Sequence, residues 1–463
     1  MQYSIVNYSD ALKNSDFRMD AEYFHPLYLK LDKEFLNYDT KLIGEFAYVT
    51  DGEHGSVELK KDGIKYLMGE NIKSGVVNLK NIRYVDESVH IRNKRASVEA
   101  GNILISIKGS LGDIAIAEEW LLPANMSRDV AIIKIKDTSI LSEYVCIYLM
   151  SNIGQTLAIR EGSGGVQQMI TLGRLRNIKV PVFSEIMQTR LKEMYKKSLQ
   201  LRESSKSLYA EAENLLLSEL GLETWKPQHK LSYVKNFSDT VEAERIDAEY
   251  FQPKYDEIVE TAKKFNAKKI SVICKLQRGA MISMDFYNEN NGTPYIRGAD
   301  FSSGNIEDAK IIYIDESFER KNEAILNEGD IVFASIGSVG TTALIEKKYS
   351  GSFFSNNTAK LSIKNKNEVN PVYLQIVLIS IVGQLQFEKF QTQTAQPKIS
   401  NREVGEILIP ILPTDKQKEI AQKIIDSRKA REESKDLFEK AKRAVEIAIE
   451  ESEGAAMEFL KDI

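Results

Sequence analysis

Side chains able to react are few and scattered along this chain. The histidines His25, His54, His90 and His229 lie far apart, and neither Cys146 nor Cys274 stands near one of them in sequence. A metal centre or a nucleophile paired with a base is therefore not expected, and two distant cysteines exclude a disulfide framework or a Cys-rich zinc pattern. Gly337-Ser-Val-Gly340 lacks the Lys-Ser/Thr that completes a phosphate-cradling loop. Asp308-Ala-Lys310 has the form of an Asp/Glu-Xaa-Lys signature but no obvious acidic partner upstream, so it reads as a solvated charged pair. What remains are side chains that bind: His54, Lys60, Lys61, Lys73, Arg160, Gln167 and Gln168 in the first half, and Arg278, Arg297, Asn356, Asn357, Gln391, Gln393 and Lys398 in the second. Guanidinium and amide groups read base edges, and lysines neutralise phosphates. The competing reading of the same residues is loop capping, turn chemistry and surface solubility.

Bulk composition is compatible with such local binding faces. Of 463 residues, 43% are hydrophobic and 28% charged, an ordinary globular balance that gives two to four domains as a starting expectation. The net charge of -5 argues against a uniformly basic coat. Locally the balance changes, because Lys60 to Arg95 holds nine Lys or Arg against four acids. No apolar run is long enough to span a bilayer, and the first ten residues lack a basic stretch followed by an apolar one, so a cytoplasmic location without membrane contact is expected.

An internal repeat decides the architecture. Arg18-Met-Asp-Ala-Glu-Tyr-Phe-His-Pro26 returns as Arg245-Ile-Asp-Ala-Glu-Tyr-Phe-Gln-Pro253, and Tyr84-Val-Asp-Glu-Ser88 as Tyr313-Ile-Asp-Glu-Ser317. Gly101-Asn-Ile-Leu-Ile and the Gly-Ser-Leu-Gly that follows match Gly329-Asp-Ile-Val-Phe and Gly-Ser-Val-Gly340, in the same order throughout. Each copy ends in a long helical stretch. Leu191, Met194, Ser198, Leu201, Ser205, Leu208, Ala212 and Leu215 alternate in steps of three and four, and Ile420, Ser427, Ala430, Ser434, Leu437, Ala441, Ala444 and Ala448 form the matching seam. The small residues on these seams let two helices approach closely. The expected chain is α+β: two similar α/β domains, 1–181 and 221–411, each followed by a long helix, 182–220 and 412–463. The helices pair as an antiparallel coiled coil, with a pseudo-twofold relation between the copies.

Within each copy, Arg18 to Phe35 has helical spacing, Ile43 to Val49 reads as a strand, and Ile103 to Ile107 and Val130 to Ile135 as buried strands. Asn125-Met-Ser-Arg128 reads as a polar approach to the last strand, Glu143 to Met150 as an amphipathic helix, and Arg160 to Gln168 as a glycine-rich loop. Where the copies agree, the residues are glycines, apolar strand positions and the Arg-Xaa-Asp-Ala-Glu-Tyr-Phe motif. Where they differ, the residues are Asn, Gln, Arg, Lys, His and Ser. One frame thus carries two different readers.

The duplicated plan, both Arg-Xaa-Asp-Ala-Glu-Tyr-Phe starts, the Thr50-Asp-Gly-Glu-His54 loop, the Gly-Asn/Asp-Ile strand into Gly-Ser-Xaa-Gly, and the Ile-Pro ends before the long helices resemble the DNA-specificity subunit of Type I restriction-modification systems. The resemblance covers essentially the whole chain. It implies two target-recognition domains and two spacer helices that bind a bipartite, asymmetric double-stranded DNA target. It further implies two adenine-N6 methyltransferase subunits as partners and, through them, motor-nuclease subunits. No cofactor is expected in this chain; AdoMet, ATP and Mg belong by resemblance to the partners. The glycines from Gly162 to Gly165 have no counterpart in the second copy, a departure from a shared role for that loop.

Two other function classes compete. Asn370-Pro371-Val372-Tyr373 resembles the Asn-Pro-Pro-Tyr/Phe motif with which amino-methyltransferases hold the target amine, as a self-contained adenine-N6 methyltransferase requires. The repeat-equivalent residues are Leu141-Ser142-Glu143-Tyr144, so Pro371 is better read as the first residue of a helix. AdoMet binding by this chain alone would favour the enzyme. Failure to bind any duplex would favour a coiled-coil adaptor with no DNA role.

Overall fold

The computed structural model describes residues 4–12, 18–109, 111–162, 169–302, 304–308, 311–318, 325–392 and 395–461. Contacts group the chain into two compact units, Met1–Arg202 with Arg431–Ile463, and Glu203–Ala430. The division runs through the long helices, Glu185–Glu219 and Thr414–Glu450, so each unit holds half of both.

The first unit is built on a four-stranded antiparallel sheet in the order Ala47–Asp51, Val130–Ile135, Ile103–Ser106, Ile114–Ile116. All four residues of Ile103–Ser106 are buried, because both faces are covered and alternate side chains serve separate cores. Ile103 and Ile105 join one core with the helices Ser142–Met150 and Asn152–Glu161 and the long-helix segments. Leu104 joins the other, under the Ile72–Val77 hairpin and the strand Ala124–Met126. That strand runs parallel to Ile64–Leu67, whose other edge pairs antiparallel with Arg83–Val85.

The second unit repeats this plan. Its sheet runs Cys274–Arg278, Thr358–Ile363, Ile331–Ala334, Thr342–Leu344, and Ile331 and Phe333 face one core while Val332 and Ala334 face the other. The counterpart of the parallel pair is Thr293–Ile296 beside Phe353–Phe354.

Conserved polar residues tie the same points in both units. Arg18 donates to Asp20 at 2.7 and 2.8 Å, lies over the Tyr23 ring, and donates to the Arg160 carbonyl at 2.9 Å. Arg245 does the same with Asp247, Tyr250 and the Phe390 carbonyl. The Arg-Xaa-Asp-Ala-Glu-Tyr-Phe motif is therefore a clamp on the C-terminal carbonyls of a helix, where a cation is favoured. A buried glutamine on each long helix makes a second tie. Gln188 accepts from Leu141 N–H and donates to the carbonyls of Ser139 and Phe183; Gln417 accepts from Asn370 N–H and donates to those of Glu368 and Leu412.

The helix seams pair antiparallel inside each unit, rising residue numbers on one helix meeting falling numbers on the other. In the first unit Ser184 meets Glu453, Tyr195 meets Phe438 and Ser198 meets Ser434; in the second Ser205 meets Ser427 and Glu211 meets Lys423. The serine hydroxyls lie 2.9 and 3.1 Å apart, which only small seam residues permit.

Several local expectations are corrected. Residues Ile43–Phe46 form a helical turn, because Glu45 caps the Leu42 N–H at 2.6 Å, and the strand begins at Ala47. The first regular helix after Arg18 starts at Pro26, with His25 as its cap. Ala124–Met126 is a strand, and Ser142–Met150 is not amphipathic, since Tyr144 through Leu149 are all buried. The second long helix stops at Glu450, and Ser452 caps a separate helix, Glu453–Phe459. Asn370 caps the helix Pro371–Ile379, its side-chain oxygen accepting from Val372 N–H at 2.8 Å and Tyr373 N–H at 3.2 Å. The buried Tyr373 hydroxyl donates to the Pro410 carbonyl, as Tyr144 does to that of Pro181. These groups are thereby withdrawn from holding a substrate amine. Among the described residues, no single helix is long and apolar enough to cross a membrane, and no three His, Cys, Asp or Glu are grouped to hold a metal.

Candidate nucleic-acid interface

In the first unit the strand Ala47–Asp51 ends at Gly52, and the chain turns across the end of the parallel pair. A Cβ at Gly52 would lie 2.0 Å from the Met126 carbonyl oxygen, and at Gly279 2.2 Å from that of Phe354, so both units require glycine for the same close approach. Beyond Gly52 opens a groove of about 370 Å³, lined by Glu53 to Val57, Leu59, Tyr66, Met68, Arg83 and Ser127 to Asp129.

Charges around this groove are mostly paired. His54 Nε2 lies 2.7 Å from Asp51 Oδ2 with the ring well exposed. Arg95 also engages Asp51, at 3.2 Å, and donates to the Thr50 hydroxyl at 2.6 Å. Arg92 pairs with Glu53 at 3.4 Å and Arg83 with Glu70 at 3.7 Å. The Gly55 N–H, assisted by Arg92, holds the Glu53 carboxyl below the usual range, and burial pushes the Tyr66 hydroxyl up to about 12. Arg128 is exposed at the rim.

The same frame in the second unit carries other side chains. Parallel bridges join Glu53 to Ser127 and Ala280 to Ser355, which fixes the correspondence. Met281, 84% exposed, stands where the first unit has His54, Arg297 where it has Met68, and Asn356 and Asn357 where it has Arg128 and Asp129. Arg278 Nε donates to the Asn356 carbonyl at 2.7 Å, and Arg297 binds the buried Asp300 through two nitrogens at 3.0 and 2.8 Å.

The sequence-predicted residues divide accordingly. His54 lines the first groove, and Lys60, paired with Asp86 at 2.8 Å, and the exposed Lys61 follow Leu59 at its edge. Arg278, Arg297, Asn356 and Asn357 gather at the equivalent point of the second unit. Gln391 ends the helix Ile381–Phe390, and the exposed Lys398 bridges to Ile336, placing both near a different turn. Lys73 is exposed on the Ile72–Val77 hairpin, away from the groove. Arg160 is corrected: it lies on the helix Asn152–Glu161, is buried, pairs with Asp32 at 2.9 Å and covers the Tyr23 ring, so its guanidinium faces the interior. Gln167, Gln168 and Gln393, with most of the glycine loop, lie outside the described residues. Sequence reasoning did not select Arg128 or Met281, and it weighed Arg83, Arg92 and Arg95 only as members of the basic run from Lys60 to Arg95. Arg128 was findable, since the repeat aligns it with Asn356, which the loop comparison had already selected.

A family model described as the Type I restriction modification DNA specificity domain matches residues 262–433. The Type I restriction enzyme EcoBI specificity subunit of Escherichia coli is 30% identical over 122 residues, a match that spans 26% of this chain and 26% of that protein. Among solved structures, the S subunit of a Type I restriction-modification system from M. genitalium aligns over 89% of this chain and 95% of its own, at 15% identity and a TM-score of 0.44. The HsdS subunit from Thermoanaerobacter tengcongensis aligns over 90% and 97%, at 15% identity and a TM-score of 0.29. That domain model falls on the second half of the chain, whose strands and helices repeat in the same order in the first half.

Proposed function

We propose that this chain is the DNA sequence-recognition subunit of a Type I restriction-modification complex, without catalytic activity of its own. Each unit reads one half of a bipartite, asymmetric duplex target. Domains 1–181 and 221–411 do the reading, and the helical segments 182–220 and 412–463 act as spacer and as docking surface for two methyltransferase subunits, through which motor-nuclease subunits join. Double-stranded DNA is the direct ligand; AdoMet, ATP and Mg act on the partners. A cytoplasmic location is part of the same reading.

The observation that carries the proposal is the pair of equivalent turns held by Gly52 and Gly279, at which His54, Met68 and Arg128 of one unit are replaced by Met281, Arg297 and Asn356 of the other. A catalytic pair would keep its chemistry in both copies or lose it in one. Two readers of unlike half-sites keep the frame and change the side chains that meet base edges.

The test is to map modified adenines genome-wide in a host with and without the gene, then with loop exchanges in one unit. Exchange of the first groove should alter one half of the recognised sequence and leave the other intact, and shortening a spacer helix should change the gap or abolish assembly. Simultaneous change of both halves, or AdoMet binding by the isolated chain, would overturn the proposal.

A further inference from the structure

The equivalent turns of the two units share a position at which an accessible polar side chain has no partner among the described residues. The strands Val130–Ile135 and Thr358–Ile363 are entered through the same turn, and Arg128 and Asn356 each stand one residue beyond the parallel bridge. The other arginines lining or flanking the first groove are held by Glu70, Glu53 and Asp51. Arg128 is exposed and makes no ion pair among the described residues. At Asn356 the backbone carbonyl receives the Arg278 bond, which leaves the side-chain amide unpaired among those residues.

A contact to phosphate is independent of sequence, so both units would keep a cation at this position. The change from a cation to a neutral amide is what unlike half-sites require of a base contact. We infer that Arg128 and Asn356 are the equivalent base-reading residues of the two units, Arg128 taking a guanine and Asn356 an adenine in the major groove. Two parallel guanidinium N–H groups match guanine O6 and N7. A carboxamide accepts from adenine N6–H and donates to N7.

The inference rests on the chain being a duplex reader, and the experiment separates the two ideas. The full chain, alone and with its methyltransferase partner, selects from a randomised double-stranded DNA library, and the bound fraction is sequenced. Arg128→Gln should reduce the preference for guanine at one position of one half-site by about 5- to 150-fold, the range for a lost bidentate contact, and leave the other half-site unchanged. Arg128→Lys should keep guanine with a weaker preference, and Asn356→Ala should erase an adenine in the other half-site. If Arg128→Gln instead weakens all sequences evenly and makes the salt dependence shallower by about one ion, Arg128 is a phosphate contact, and the inference falls while duplex reading stands. An unaltered preference in either variant also overturns it. If the unmodified chain enriches no sequence in either form, duplex reading fails and takes the inference with it.

Discussion

Replacing Gln417 by alanine should destabilise the second unit selectively. Its amide is buried and makes three hydrogen bonds, accepting from Asn370 N–H at 2.9 Å and donating to the Glu368 and Leu412 carbonyls at 3.0 and 2.9 Å. Truncation leaves one donor and two acceptors without partners. At about 1 kcal/mol for each bond, the loss is about 3 kcal/mol. With a denaturant slope of about 2 to 3 kcal/mol per molar, that moves the urea midpoint down by about 1 M or more. The chain carries its own reporters, because Trp120 lies in the first unit and Trp225 in the second, where its indole N–H donates to Glu257 at 3.0 Å. Read by fluorescence in Trp120→Phe and Trp225→Phe backgrounds, Gln417→Ala should lower the Trp225 transition and spare that of Trp120. Gln188→Ala should do the reverse. A shift below about 0.3 M, or one shared equally by both reporters, would refute the view that each long helix fastens its own unit through this glutamine.

Three further outcomes follow from the same contacts. Burial alone pushes the Asp32 carboxyl up, but the hydrogen bond and charge of Arg160, aided by Lys179, outweigh it and hold the group below the usual carboxylate range. A lowered folded value means stability that is complete above the unfolded value near 3.9 and lost as pH falls through the folded one, so Asp32→Asn should flatten the acid limb of a urea-midpoint profile. Burial pushes the Cys274 thiol up to about 12 and raises that of Cys146 further, so neither should react with a thiol reagent at pH 8 until urea unfolds the chain. Arg245→Ala should cost about 1 to 3 kcal/mol by freeing Asp247 and the Phe390 carbonyl, and Arg245→Lys should recover only part of it because one ammonium cannot hold both; paired urea titrations measure the difference.

Legibility in the sequence followed the periodicity. The seam from Leu191 to Leu215 carries a three-four step over many turns, and the structure forms one helix across Glu185–Glu219. Short segments were less legible. Ile43 to Val49 is β-branched and apolar, yet Glu45 converts its first half into a helical turn through a single capping bond. Ser142–Met150 is polar at its start only, and sheet and long helices close over every side of it. Arg160 shows the same limit in a charged residue: its type suggested a loop contact, whereas Asp32, more than a hundred positions away, draws it inward.

The sequence by itself determined the duplication, the paired helices and the residue classes in which the copies differ, because repeats and periodicity are written along the chain. Only the tertiary structure decided which differing residues share a groove and which polar groups there have a partner. Those properties depend on hydrogen bonds and ion pairs between residues far apart in sequence, such as Arg95 with Asp51 and Arg278 with Asn356.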